Sequence, residues 1–171
     1  MKQNKLIVAI LTVMIAVGAG GMAVAKTPEI SEERRGLISQ NCGTLRQSLK
    51  LLQRSDSRAR AYFGAVYETI SSKYLTPLNL RLVKNNLSSN NLLSLQTSLA
   101  SLRSDFSTDF IAYSKSLEEL IALDCRLEPD EFYQKLEETR EKRAVVASDM
   151  DKINKLLTSL VSETKALKEK L

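Results

Sequence analysis

The sequence predicts an all-α protein: an elongated, antiparallel three-helix bundle with coiled-coil-like packing, preceded by a signal peptide. Three observations lead to this prediction. Apolar residues recur at alternating steps of four and three along three long stretches, which keeps one apolar stripe on one side of a helix. Prolines and small polar residues separate these stretches. A basic start, an apolar run and small residues precede them, as in secretory signals.

Residues 1–25 have the composition of a cleavable signal peptide. Two lysines come before an apolar run of 12 residues, 6–17, and Ala25 and the alanine two positions before it are the small residues that an export peptidase reads. We therefore expect cleavage between Ala25 and Lys26. The alternative is an uncleaved membrane anchor, because residues 6–25 are just long enough to span a bilayer of roughly 30 Å. Three glycines weaken such a span.

The remaining chain, residues 26–171, has the length of one helical domain. It carries 23 basic and 20 acidic side chains. This small excess does not indicate a nucleic-acid partner, and it permits only weak attraction to anionic envelope polymers or lipid headgroups.

The first predicted helix covers about residues 31–75. Ser31 is a suitable N-cap, and the two glutamates after it lie at the positive end of the helix dipole. Pro77 ends the pattern, because the residue before a proline avoids the helical region. Residues 76–90 then form a connector. Its apolar residues alternate over 78–83 as in a strand, but a lone strand would leave backbone hydrogen bonds unmade, so we expect a short helical turn or an extended crossing. The connector contains a glycosylation sequon at Asn86, which matters only in a host that glycosylates proteins.

The second and third predicted helices cover about residues 91–126 and 129–170. The apolar series of the second has one additional step of four, from Phe106 to Phe110, which is a small stutter. The series of the third never breaks its alternation. Pro129 suits the first turn of a helix, and the acidic residues after it suit the positive end of the helix dipole.

The chain contains two cysteines, Cys42 and Cys125. In an exported protein such a pair usually forms one disulfide, and two buried free thiols are the alternative. Partners in an antiparallel helical hairpin lie at equal distances from the turn. The pairing therefore places the centre of the turn near residues 83 and 84. A connector that starts at residue 76 has its centre there, so the first helix is predicted to stop near Leu75.

The same register predicts an ion pair between Asp56 and Arg143 inside the bundle. Both are polar residues on otherwise apolar stripes, and the register brings both into one layer. The expected role of the pair is to fix the register of the helices, because a buried ion pair is weak support for net stability. A functional polar pocket at this layer is the alternative.

A second candidate site is a basic and aromatic patch on the first helix. Its members are Arg54, Arg58, Arg60, Tyr62 and Tyr67. Arginine and tyrosine are favoured at protein interfaces, and a solvated helix face is the alternative.

The chain has no histidine, which excludes Ser-His-Asp and Cys-His nucleophilic sites and histidine-based zinc sites. The cysteines lack C-x-x-C spacing, and the glycine-rich loops of nucleotide-binding proteins are missing. The acidic residues alternate with lysine and arginine, as on solvated helix faces. We therefore expect no cofactor and no metal, and an enzyme is the least favoured class.

These observations predict a non-catalytic, exported helical protein that acts by protein binding or as a cell-envelope scaffold. The alternatives are a holdase-type periplasmic chaperone, which requires an apolar surface or cavity, and an extracytoplasmic protein anchored in the membrane by residues 6–25. We expect membrane contact only if that segment stays uncleaved. Heptads this regular also permit self-association.

Overall fold

The computed structural model describes residues 30–87 and 90–169, which are almost entirely helical and contain no β-strand. The all-α class predicted from the sequence is confirmed. In chain order the elements are α1 (Glu32–Gln40), α2 (Cys42–Thr69), a π-helical segment (Ile70–Leu75), α3 (Thr76–Lys84), α4 (Asn90–Ala122) and α5 (Pro129–Lys168). The predicted signal peptide, residues 1–25, and the Ala25–Lys26 cleavage site lie outside the described residues.

The two longest helices, α4 and α5, pack against each other in antiparallel orientation. Lys135 near the start of α5 forms an ion pair with Glu119 near the end of α4. One turn further along, the hydroxyls of Ser116 and Thr139 share a buried hydrogen bond of 2.9 Å. Almost completely buried side chains on this pair include Leu92, Leu99, Leu117, Leu120, Phe132 and Ile153. These residues form the main part of the apolar core.

Residues 32–84, which we call the first arm, lie along the α4–α5 pair. α1 ends at a single non-helical residue, Asn41, and α2 begins directly after it. Ion pairs join the first arm to its neighbours along its length. No helix in the described part of the chain is long and apolar enough to cross a membrane.

Residues 76–84 are helical, so the segment predicted as the connector 76–90 extends the first arm over most of its length, and the helix is longer than the short helical turn that the sequence led us to expect. The π-helical segment explains why the helix continues past the proline. The backbone N–H and the hydroxyl of Thr76 both donate to the Ser71 carbonyl, five residues back. This wider turn accommodates Pro77, which has no N–H and whose ring would clash with the carbonyl four residues back in an α-helix.

The prediction that the first helix stops near Leu75 is wrong for the same reason. It assumed straight α-helices with equal rise on both sides of the turn. Between Cys42 and the turn, the first arm instead takes more residues per turn in its π-helical segment. It therefore fits more residues than α4 into the same length, and the Cys42–Cys125 pairing coexists with a helix that ends at Lys84.

α3 ends in a Schellman motif. Asn86 adopts a left-handed conformation with φ of 54°, which asparagine tolerates better than most residues. The Asn86 N–H donates to the Val83 carbonyl at 3.1 Å, and the Leu87 N–H donates to the Leu82 carbonyl at 2.8 Å. These two bonds satisfy carbonyls that the end of a helix would leave unpaired.

Candidate functional site

Cys42 and Cys125 form a disulfide with a Cα–Cα distance of 5.5 Å, and the predicted pairing is confirmed. Cys42 is the first residue of α2. Cys125 lies in the turn between α4 and α5, three residues beyond the end of α4 at Ala122, so the predicted second helix, 91–126, was too long. Both cysteines are buried. The bond therefore fixes the start of α2 to the turn between the other two long helices.

Polar contacts reinforce this part of the molecule. Arg35 of α1 binds Asp130 of α5, with Nε 2.9 Å from Oδ2. Arg34 donates to the hydroxyl of Tyr133 at 3.1 Å and lies over the ring of the same side chain. We call residues 30–41 and 118–135 together the disulfide end, and residues 69–104 and 155–169 the far end.

Asp56 of α2, Tyr113 of α4 and Arg143 of α5 bring the three long helices together. Arg143 donates from Nε to Asp56 Oδ2 at 2.8 Å and from Nη2 to Asp56 Oδ1 at 3.3 Å. The Tyr113 hydroxyl donates to Asp56 Oδ2 at 2.8 Å. Tyr113 is buried, whereas the Arg143 side chain is 51% exposed. The prediction that the pair lies inside the bundle is wrong for Arg143, whose long side chain keeps its charged end in contact with water.

The charges of this three-residue cluster are fixed by its own contacts. Burial acts to raise the pKa of Asp56, but the hydrogen bonds from Arg143 and Tyr113 outweigh it, so the net pKa lies below the ordinary value. Burial, followed by the hydrogen bond to Asp56, raises the pKa of the Tyr113 phenol. Asp56 is therefore an anion at neutral pH and Tyr113 is a neutral donor, an arrangement that positions helices rather than transferring protons.

The predicted basic and aromatic patch does not form one surface. Tyr67 is 2% exposed and stacks on Phe63 with ring centroids 6.1 Å apart. The Arg60 guanidinium lies over the ring of Phe110 of α4, 5.2 Å from its centroid. The members that remain on the outer face are Arg54, Arg58 and Tyr62.

Helix geometry explains this division of the patch. At about 100° per residue, three residues spaced by four share one face, here the outer one. Arg60 and Tyr67 are separated by seven residues, so they share a different face, which is turned toward α4. The patch prediction joined residues that are near one another in sequence but lie on two faces of the helix.

Two grooves separate the middle of α2 from α4 and α5, and periodicity alone did not reveal them. The first, of about 630 Å³, lies between α2 and α4 and includes Gly64 and Ala100 in its lining. A Cβ added at Gly64 would meet nothing within 4 Å, so α2 stands away from α4 at this point. The second, of about 320 Å³, is lined mainly by apolar atoms of all three helices, including Phe110 and Met150.

A pair of carboxyl groups lies between α4 and α5. Asp149 is almost completely buried, and its Oδ1 accepts a hydrogen bond of 2.8 Å from Lys152. Asp109 faces it from α4. The neighbouring Asp149 side chain, then burial, then the negative charges of Asp149 and Asp105, raise the pKa of Asp109. The buried position of Asp149 was not predicted from the sequence.

α3 carries apolar residues on both of its faces. Leu82 and, in part, Leu78 are buried against the core. Leu80 and Val83 lie on the opposite side of the helix and are 66% and 72% exposed. We call these two residues, with the exposed Leu87 of the following turn, the outer face of α3. The alternating pattern of this segment was visible in the sequence, but it was interpreted as part of a connector.

Neither metal ligation nor similarity to known proteins assigns a function. Within residues 30–87 and 90–169, no group of three or more Cys, Asp or Glu side chains converges to hold a metal ion. In comparisons with known proteins, no family model, no curated protein and no solved structure matches this chain. The function is therefore argued from the surfaces and cavities described above.

Proposed function

We propose that this is a non-catalytic, exported protein that acts by binding other proteins, as a cell-envelope scaffold or a secreted interaction module. In this proposal the three long helical arms form one elongated antiparallel bundle. The outer face of α3 carries the argument, because Leu80 and Val83 are exposed on a helix whose opposite face is already packed. Helices that are apolar on both sides are normally covered on both sides.

Two features support export. Residues 1–25 combine a basic start, an apolar run and small residues before Lys26, as secretory signals do. Disulfides such as Cys42–Cys125 form and persist mainly in oxidising compartments. The proposed location is the periplasm, the cell surface or the surrounding medium. Retention of residues 6–25 as a membrane anchor, with the helical domain facing outside, is the alternative, and neither version involves a nucleic-acid partner.

The test is site-specific photo-cross-linking in the cells that make the protein. A photoreactive residue at Val83 should give discrete cross-linked products with protein. The same residue at Ser148, an exposed polar position in the middle of α5, is the matched control and should give none. Equal labelling at both positions, or no product at Val83, would count against the outer face of α3 as a protein-binding surface.

A holdase-type chaperone is the second candidate, and the two grooves beside α2 favour it. Together they offer about 630 and 320 Å³ next to apolar side chains such as Phe106, which suits apolar segments of unfolded clients. Substitution of Gly64 by Leu should fill the larger groove, since its Cβ meets no neighbouring atom within 4 Å.

Suppression of client aggregation provides the measurement for this second function. The Gly64→Leu variant should lose activity that the unmodified protein shows. Gly43→Leu is the matched control, because its Cβ also has no neighbour within 4 Å and it does not line the larger groove. A protein that never suppresses aggregation, or two variants with equal activity, would remove the holdase as a candidate.

A further inference from the structure

Charge is distributed unevenly along the molecule. The disulfide end, residues 30–41 and 118–135, carries eight acidic and four basic side chains. The far end, residues 69–104 and 155–169, carries seven basic and two acidic side chains. The C-terminal turns of α5 belong to the far end because α5 runs antiparallel to α4. The sequence between Glu68 and Asp105 contains no acidic residue.

Each end also exposes apolar side chains among these charges. At the far end, the outer face of α3 has Arg81 and Lys84 as exposed neighbours. At the disulfide end, Leu127 is 81% exposed, and Glu128 and Glu131 follow it in the chain. Both ends therefore combine exposed apolar groups with an excess of one charge, and the two charges are opposite.

We propose that the far end of one molecule docks on the disulfide end of a second copy, so that molecules associate head to tail. The inference rests on the proposed function, in which the outer face of α3 is a protein-binding surface. Opposite charge steers two surfaces together and disfavours wrong pairings. The two surfaces differ, so the contact is heterologous: each docked pair leaves one free end of each kind, and association continues into open chains.

The contact must be weak on size grounds. The ends of three helices offer less surface than the roughly 1,200–2,000 Å² that stable complexes bury. Exposed charges supply much of the complementarity, so added salt screens it. Such a contact becomes effective where molecules are held close together, as on a shared surface, because local concentration replaces affinity.

The first experiment is sedimentation velocity of the oxidised protein as its own cells process it, over a range of concentrations. At about 50 mM salt the weight-average sedimentation coefficient should rise with concentration. At about 500 mM salt the association should weaken by about tenfold or more. A coefficient that stays at the monomer value at all concentrations and both salt levels overturns the proposal.

Charge reversal identifies the surfaces. The far-end variant, Arg81→Glu with Lys84→Glu, and the disulfide-end variant, Glu128→Lys with Glu131→Lys, should each lose self-association. The first lowers the far end's excess of five basic charges to one, and the second removes the disulfide end's excess of four acidic charges, so the charge attraction is lost. An equimolar mixture should regain association, since the unchanged far end of one variant then meets the unchanged disulfide end of the other. Failure of the mixture to associate, or wild-type association by either variant alone, overturns the proposal.

A matched control separates position from net charge. Lys50→Glu with Arg54→Glu makes the same change in net charge as the far-end variant. It does so at exposed positions on α2, away from both ends, and should associate like the wild type. Circular dichroism melting checks that all variants fold. Loss of association in this control as well would show a general charge effect and overturn the end-to-end contact.

Two further outcomes separate this inference from the proposed function. A monomeric wild type whose Val83 cross-links to a different polypeptide overturns self-association and leaves the proposed function intact. A monomeric wild type that floats with phosphatidylglycerol vesicles but not phosphatidylcholine vesicles, and loses this in the far-end variant, overturns self-association in favour of an anionic lipid surface. A Val83 product with the mass of two copies supports both proposals.

Discussion

Arg143 of α5 holds the Asp56 carboxylate of α2 at two points, from Nε to Oδ2 at 2.8 Å and from Nη2 to Oδ1 at 3.3 Å. The Tyr113 hydroxyl donates to the same carboxylate from the buried side. The carboxylate therefore has one partner near water and one inside the core.

This asymmetry leads us to expect unequal effects when the two charged residues are replaced. Asp56→Ala should cost about 1–3 kcal/mol, because it leaves the buried Tyr113 hydroxyl without its acceptor. Arg143→Ala should cost about 0.5–1 kcal/mol, since its side chain is half exposed and water replaces the lost contact. Urea denaturation measures both values. In a Tyr113→Phe background the excess cost of Asp56→Ala should disappear, and persistence of the full difference there would contradict this explanation.

The two buried tyrosines should respond in opposite ways to loss of the hydroxyl. Tyr113 donates a hydrogen bond to Asp56, whereas the Tyr67 hydroxyl finds no hydrogen-bond partner among the described residues. Tyr113→Phe should destabilise the protein by about 1 kcal/mol or more. Tyr67→Phe should be neutral or stabilising, because it removes a buried polar atom that has no partner. Thermal or urea unfolding of the two variants decides this, and equal destabilisation would show that Tyr67 is bound after all.

The disulfide should supply a large share of the stability. Opening the Cys42–Cys125 bond releases a chain segment of 83 residues, and the chain-entropy model assigns about 4–5 kcal/mol to a closure of this length. The Cys42→Ser and Cys125→Ser double variant should show this loss in denaturant unfolding. Reductant should lower the stability of the wild type to that of the variant and leave the variant unchanged. A wild type insensitive to reductant would contradict the estimate.

The Asp109–Asp149 pair should make stability depend on pH in one direction. The pKa of Asp109 is raised in the folded protein, chiefly by the neighbouring Asp149 side chain. Its ionisation therefore costs more in the folded state than in the unfolded one, and stability falls as pH rises from the unfolded pKa of about 3.9 through the folded value. Asp109→Asn removes this cost.

We therefore expect Asp109→Asn to melt at a higher temperature than the wild type at pH 7, with a difference that closes as the pH falls toward 4. Asp56→Asn provides the opposite case. The pKa of Asp56 is lowered, so its contribution to stability is present above the unfolded pKa and is lost as the pH falls through the folded value. Parallel melting curves of the two variants at every pH would contradict both assignments.

Periodicity predicted the parts of the fold in which helices are regular. α4 and α5 begin and end within a few residues of the expected positions. The disulfide followed from two cysteines and a predicted export signal. The layer that unites Asp56 and Arg143 followed from the register that the cysteine pairing set, because α2 runs without interruption from Cys42 past Asp56.

The sequence could not predict features that depend on a local change of helix geometry. In the sequence, Pro77 predicts the end of a helix. In the structure, the wider π-helical turn before it allows α3 to follow. The patch prediction on α2 failed because Arg60 and Tyr67 lie on the face turned toward α4, whereas Arg54, Arg58 and Tyr62 lie on the outer face. The grooves depend on the distance between helices. The sequence feature at the larger groove is Gly64 between alanines. Small residues in a helix can indicate either close packing against a neighbouring helix or open space, so this feature did not predict a groove.

α2 is attached to α4 on both sides of Gly64. Before it, Asp56 accepts a hydrogen bond from Tyr113, and after it, Glu68 forms an ion pair with Arg103. The larger groove lies between these two attachments. The register of α2 is therefore held on both sides of an open volume, into which a Cβ added at Gly64 extends without meeting a neighbouring atom within 4 Å.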